Sequence, residues 1–159
     1  MKIVTSPNVI TFSQNLGSNQ LKVPEIAGKY IEKYPEADYG KINIIFRRIL
    51  SLPGGSDQAR KYIKKNLLAN GPWLEFGNNV GVGINFFFQL ERCQLKLSIN
   101  EANLKYQKRP ASPALFFSGN FNYKLESYRK QERLLMLGEI IKNWQQDEKT
   151  FREIINQSF

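Results

Sequence analysis

From Val80 to Leu125 apolar residues recur at almost every second position, and that period leaves few folds open. Val80, Val82, Ile84, Phe86 and Phe88 alternate with Gly81, Gly83, Asn85, Phe87 and Gln89. Cys93, Leu95, Leu97 and Ile99 alternate with Gln94, Lys96 and Ser98, and Phe117, Gly119, Phe121, Tyr123 and Leu125 with Ser118, Asn120, Asn122 and Lys124. Strand side chains point to opposite faces in turn, so each run sends an apolar row one way and a small or polar row the other. The pattern predicts an antiparallel sheet of about four strands between residues 73 and 126, buried on one face. The Glu91-Arg92 connection suits a hairpin. Asn100-Glu101-Ala102-Asn103 suggests a turn into a further strand from Leu104 to Lys108, and Pro110-Ala111-Ser112-Pro113 a loop.

A sheet with one apolar face needs a layer packed against it, and the flanking sequence supplies helical spacing. Pro24 suits the first turn of a helix that runs to about Tyr34 and is stopped by Pro35. From Gly40 to Leu52 the residues Ile42, Ile45, Phe46, Ile49 and Leu50 follow helical spacing, although the β-branched Ile42, Ile44 and Ile45 also suit a strand; helix is the expectation. After Pro53-Gly54-Gly55, Ser56 is placed to cap a helix from Asp57 to Asn70, with Gly71 at its end. Leu134, Leu137, Ile140, Ile141 and Trp144 form a stripe that Phe151, Ile154 and Ile155 continue, which predicts one or two closing helices. Residues 1–23 carry two short β-type pieces, Lys2 to Thr5 and Asn8 to Ser13. No repeat or linker divides the chain, so the expectation is one α+β domain over residues 1–159, a sheet and helices in two layers.

The residue inventory narrows the chemistry. There is no histidine and one cysteine, so a Ser-His-Asp or Cys-His site, a zinc cluster and an internal disulfide are all excluded. The three aspartates, Asp38, Asp57 and Asp147, sit at expected helix ends or turns, and no strand offers the close carboxylate pair a two-metal site needs. Cys93 shares a face with Leu95, Leu97 and Ile99 and reads as a small core hydrophobe. The run Gly77-Asn78-Asn79-Val80-Gly81-Val82-Gly83 leads into a strand instead of a helix, so it lacks the N-terminal dipole of a dinucleotide loop. Pro53-Gly54-Gly55-Ser56 offers helix-start N–H groups, but Asp57 competes with any anion there. The expectation is a protein that is not an enzyme and carries no cofactor or metal. The apolar stretches 42–52 and 80–90 are too short and too interrupted for a membrane span, and no signal-peptide pattern follows Lys2. A reducing cytoplasm is therefore expected.

Charge points to a partner. The net charge is +9, and the excess is densest at residues 56–72, with 4 basic residues against 1 acidic. Arg60, Lys61, Lys64 and Lys65 fall in one arc of the expected helix, opposite Ala59, Tyr62, Ile63 and Leu67. Lys105, Lys108 and Arg109 form a second cluster, and Arg129, Lys130 and Arg133 a third. Such side chains on one surface would attract nucleic-acid phosphates, with Tyr106 and Tyr128 available for stacking. The polar row Gln94, Lys96, Ser98, Asn120, Asn122 and Lys124 offers an alternative platform. The leading expectation is a basic protein that binds RNA or a nucleoprotein. The alternative is an adaptor or assembly subunit, with a protein partner or a second copy meeting Phe87 and the closing segment that ends in Phe159.

Overall fold

A computed structural model describes residues 1–17, 20–72, 81–107, 109–126 and 128–158, and Val80, Lys108, Phe159 and most of the Gly77–Gly83 run lie outside them. In chain order the elements are β1 (Lys2–Ser6), β2 (Val9–Ser13), α1 (Val23–Lys33), β3 (Lys41–Ser51), α2 (Gln58–Asn66), β4 (Gly83–Gln89), β5 (Gln94–Tyr106), β6 (Arg109–Lys124), α3 (Lys130–Lys142) and α4 (Trp144–Ser158). The fold is mixed α+β: β1 and β2 form a hairpin, and an antiparallel four-stranded sheet has the order β3-β6-β5-β4. No helix is long and apolar enough among the described residues to cross a membrane.

The chain gathers into two compact units, residues 45–122 and residues 1–44 with 123–159. In the first, β5 pairs with β4 on one side and β6 on the other, with Leu97 opposite both Phe86 and Gly119. The period-two rows predicted from sequence are realised at β5 and β6, where Cys93, Leu95, Leu97, Ile99, Phe117 and Phe121 are buried; on β4 the row is less covered, and Phe86 is exposed. Helix α2 adds Ala59 and Ile63 to that core, and the ring of Phe46 meets Phe121 edge-on at 5.8 Å. In the second unit Tyr123, Leu125, Leu137, Ile141, Phe151 and Ile155 are buried. There the buried Asp147 accepts the Tyr123 hydroxyl at 2.8 Å, which satisfies a carboxylate that would otherwise be costly to desolvate. Phe12, Tyr30 and Tyr34 join the hairpin to α1 through ring contacts at 5.6 and 4.7 Å.

Four expectations are corrected. Residues 41–51 form strand β3, not a helix. The helical spacing arose because apolar residues occupy both faces of this strand: Phe46 points into the core, while Ile45 and Ile49 are exposed on the other side. The β-branched isoleucines favour the extended chain, so the sheet takes its fourth strand from before residue 73. The expected turn at Asn100–Asn103 is the middle of β5, and Leu104 belongs to the same strand. Ladder pairing on β6 and a salt bridge to Glu101 hold those polar residues extended, which outweighs their turn preference.

The expected Pro110–Pro113 loop lies within β6. A strand residue directs its N–H and C=O to the same side, and the Pro113 carbonyl accepts the Leu52 N–H at 2.9 Å. Leu52 follows the last residue of β3, so the donor that Pro113 lacks falls at the end of the ladder, where it is not needed. Helix α2 ends at Asn66, short of Asn70. The Asn66 amide donates to the Tyr62 carbonyl at 3.0 Å, a local bond that competes with further helix. Asp57, not Ser56, is its N-cap, and Gly54 turns the chain before it at φ +117°, where a side chain would be strained.

The alternation in β3 makes a sharp prediction. Phe46→Ala should cost about 3–5 kcal/mol in urea unfolding, while Ile45→Thr should stay within about 0.5 kcal/mol. Comparable losses at both positions would contradict the strand.

Candidate functional site

Burial of one side chain row on the sheet leaves the other row facing out. In the 45–122 unit that outward face is built from Gln89, Phe87, Asn85 and Gly83 on β4, and Gln94, Lys96, Ser98 and Asn100 on β5. On β6 it carries Asn122, Asn120, Ser118 and Phe116 opposite those β5 residues, and on β3 the exposed Ile45, Arg47 and Ile49 alternate with buried Phe46. Ser98 donates to Asn85 across the strands at 2.7 Å. A Cβ at Gly83 would stand 2.5 Å from the Asn100 amide oxygen, so glycine there lets that side chain lie over the sheet. Phe87 is 76% exposed and sits opposite Lys96, whose ammonium lies 5.6 Å from the ring centre. This is a cation–π arrangement that fixes the ring without covering both of its faces.

The four strands contain one carboxylate, Glu101, and it lies on the inward face opposite buried Leu115. The Nε of Arg60 stands 3.0 and 3.1 Å from its two oxygens, and the Val82 N–H donates to it at 2.9 Å. Burial pushes the Glu101 carboxyl up, but the Arg60 and Val82 hydrogen bonds and the charges of Arg60 and Lys64 outweigh it. The group is held below its ordinary value of 4.5. The hydrogen bond to Glu101 raises Arg60 in turn.

The predicted cations divide sharply. Arg60 is bound to Glu101, and Lys61 pairs with Asp57 at 2.8 Å, which lowers the Asp57 carboxyl and occupies the acid at the helix start. Lys64 and Lys65 end α2, and Lys105 is exposed on β5; none of these three has an ion pair among the described residues. Arg109 opens β6 opposite Tyr106, and Lys108 lies outside the described residues.

The third cluster belongs to the other unit. Arg133 binds Asp38 at 2.6 Å and donates to the carbonyls of Tyr128 and Glu126, at 2.7 and 3.0 Å. It ties the start of α3 to the preceding chain. Lys130 pairs with Glu36 at 2.8 Å, and this hydrogen bond lowers the Glu36 carboxyl. The Arg129 N–H donates to Glu132 at 3.0 Å and its side chain is exposed. Arg60, Lys61, Lys130 and Arg133 thus have acidic partners, whereas Lys64, Lys65, Lys105 and Arg129 keep their charge for other contacts.

Sequence conceals Arg47, Ile45 and Ile49 as residues of a sheet face, because helical spacing over 40–52 puts the two isoleucines in a buried stripe. The density of β-branched residues at Ile42, Ile44 and Ile45 was the signal that places them on the sheet. Comparison with family models, with curated proteins and with solved structures finds no match to this chain.

The Glu101 node has a pH signature. A carboxylate held low stabilises the fold above its ordinary value of 4.5, and that contribution is lost as pH falls through the lower folded-state value. Urea midpoints of wild type and Glu101→Gln should therefore be well separated at neutral pH and converge in acid. A gap independent of pH would contradict the assignment.

Proposed function

We propose that this chain is a non-catalytic binding protein for nucleic acid, RNA or a nucleoprotein, that holds phosphates with lysines and arginines of the 45–122 unit. One observation carries the reading: within the 45–122 unit the sheet strands contain five lysines and arginines (Arg47, Arg48, Lys96, Lys105 and Arg109) and the single carboxylate Glu101, which is bound to Arg60. Lys64 and Lys65 in the last turn of α2 add two cations to the 45–122 unit, on the core side of the sheet. A field of one sign attracts a polyanion, and each phosphate neutralised releases counterions, which makes binding salt-dependent. A single buried thiol, Cys93, suits a reducing cytoplasm.

A second reading, an adaptor or assembly subunit, is favoured by the exposure of Ile45, Ile49 and Phe87. It would show as a dimer or a stable protein complex that survives high salt in light scattering.

Fluorescence anisotropy of the full chain with a labelled single-stranded RNA tests the first reading. Affinity should fall steeply with salt, and the double variant Lys64→Glu, Lys65→Glu should weaken binding by more than about tenfold at low salt. Lys149→Gln, at an exposed position of α4, serves as the control and should leave binding unchanged. Absence of binding at low salt, or equal loss in the control, would overturn the proposal.

A further inference from the structure

The outward sheet face has a composition that a charged patch alone does not require. Its rows carry the amides Asn85, Gln89, Gln94 and Asn120, one highly exposed aromatic ring on β4, the exposed Ile45 and Ile49 on β3, and the cations Lys96 and Arg47, with no carboxylate among them. Phosphates need only the cations. The exposed amides of Asn85, Gln89 and Gln94, which accept and donate, beside a ring with an open face, suit a ligand with flat π-surfaces and hydrogen-bonding edges. In a duplex the base faces are stacked on one another and the pairing edges are occupied, whereas a single strand presents both.

Resting on the nucleic-acid reading above, we infer that this face is a stacking platform for single-stranded nucleic acid, with Phe87 receiving a base, Lys96 the phosphate beside it and Arg47, on the far edge strand, a phosphate further along the nucleic acid. Phe87 is held for this role from below and from the side. Its backbone is fixed in β4 by pairing on β5, and the Lys96 ammonium rests 5.6 Å from the ring centre. The lysine thereby stays beside any base that stacks there, close to the phosphate that base carries. Charge complementarity selects the occupant: on this face a polyanion meets two cations and no acid.

The test uses the full-length chain with a labelled single-stranded oligouridine, a duplex RNA of equal length, and the variants Phe87→Ala, Phe87→Trp and Lys96→Gln. Wild type should prefer the single strand. Phe87→Ala should weaken its binding roughly tenfold with the salt slope unchanged, and Phe87→Trp should restore it. Lys96→Gln should instead reduce the salt slope by about one. Binding without strand preference, or unaffected by Phe87→Ala, overturns the platform and leaves the general nucleic-acid reading standing. No binding of either RNA at low salt overturns both. A wild-type dimer in light scattering that Phe87→Glu dissociates would assign the face to a second copy of the chain and also overturn the platform.

Discussion

Strand β5 has partners on both edges, and its period of two governs the sheet. With β4 and β6 hydrogen-bonded on either side, β5 cannot slip by one residue without sending Leu95, Leu97 and Ile99 to solvent. The hydrophobic term that buries these residues, about 25 cal/mol per Å² of apolar surface, also fixes which residues remain outside. The amide-rich outward face is therefore a consequence of how the core is built. Residues that contribute least to burial are the ones left on the surface.

The ion pair between Arg60 and Glu101 is the second constraint, because it engages the only carboxylate in the four strands. It also joins α2 to β5, so the helix that carries Lys64 and Lys65 is anchored by the residue that would otherwise neutralise them. Arg133 serves a comparable structural end in the other unit, where it binds Asp38 and two backbone carbonyls. Arginine suits such nodes because its planar fork reaches several acceptors at once, whereas lysine pairs on exposed surfaces add little stability. Net charge alone therefore overstates the positive surface.

Sequence periodicity revealed much of the fold because β5 and most of β6 carry apolar residues on one face only. It failed where that condition failed. Residues 41–51 place Phe46 inward and Ile45 and Ile49 outward, and two apolar rows on one strand mimic a helical stripe. At Asn100–Asn103 and Pro110–Pro113, residues typical of turns lie in strands because distant partners, Arg60 for Glu101 and Leu52 for Pro113, satisfy them there. Those partners are remote in sequence and no local pattern encodes them. The same limit applied to the candidate site: the basic arc of α2 was legible, but the acids facing Arg60, Lys130 and Arg133 were not, and Arg47 was hidden by the misassigned strand.

The central claim is that nucleic acid is received on the outward face of the sheet. Two-dimensional NMR of the isotope-labelled chain, titrated with a short single-stranded RNA, locates the contact directly. The account predicts that the side-chain amide signals of Asn85, Gln94 and Asn120, with the backbone signals of Phe87 and Lys96, move together and saturate. Movement confined to other surfaces, with these five residues unchanged at saturation, would contradict it.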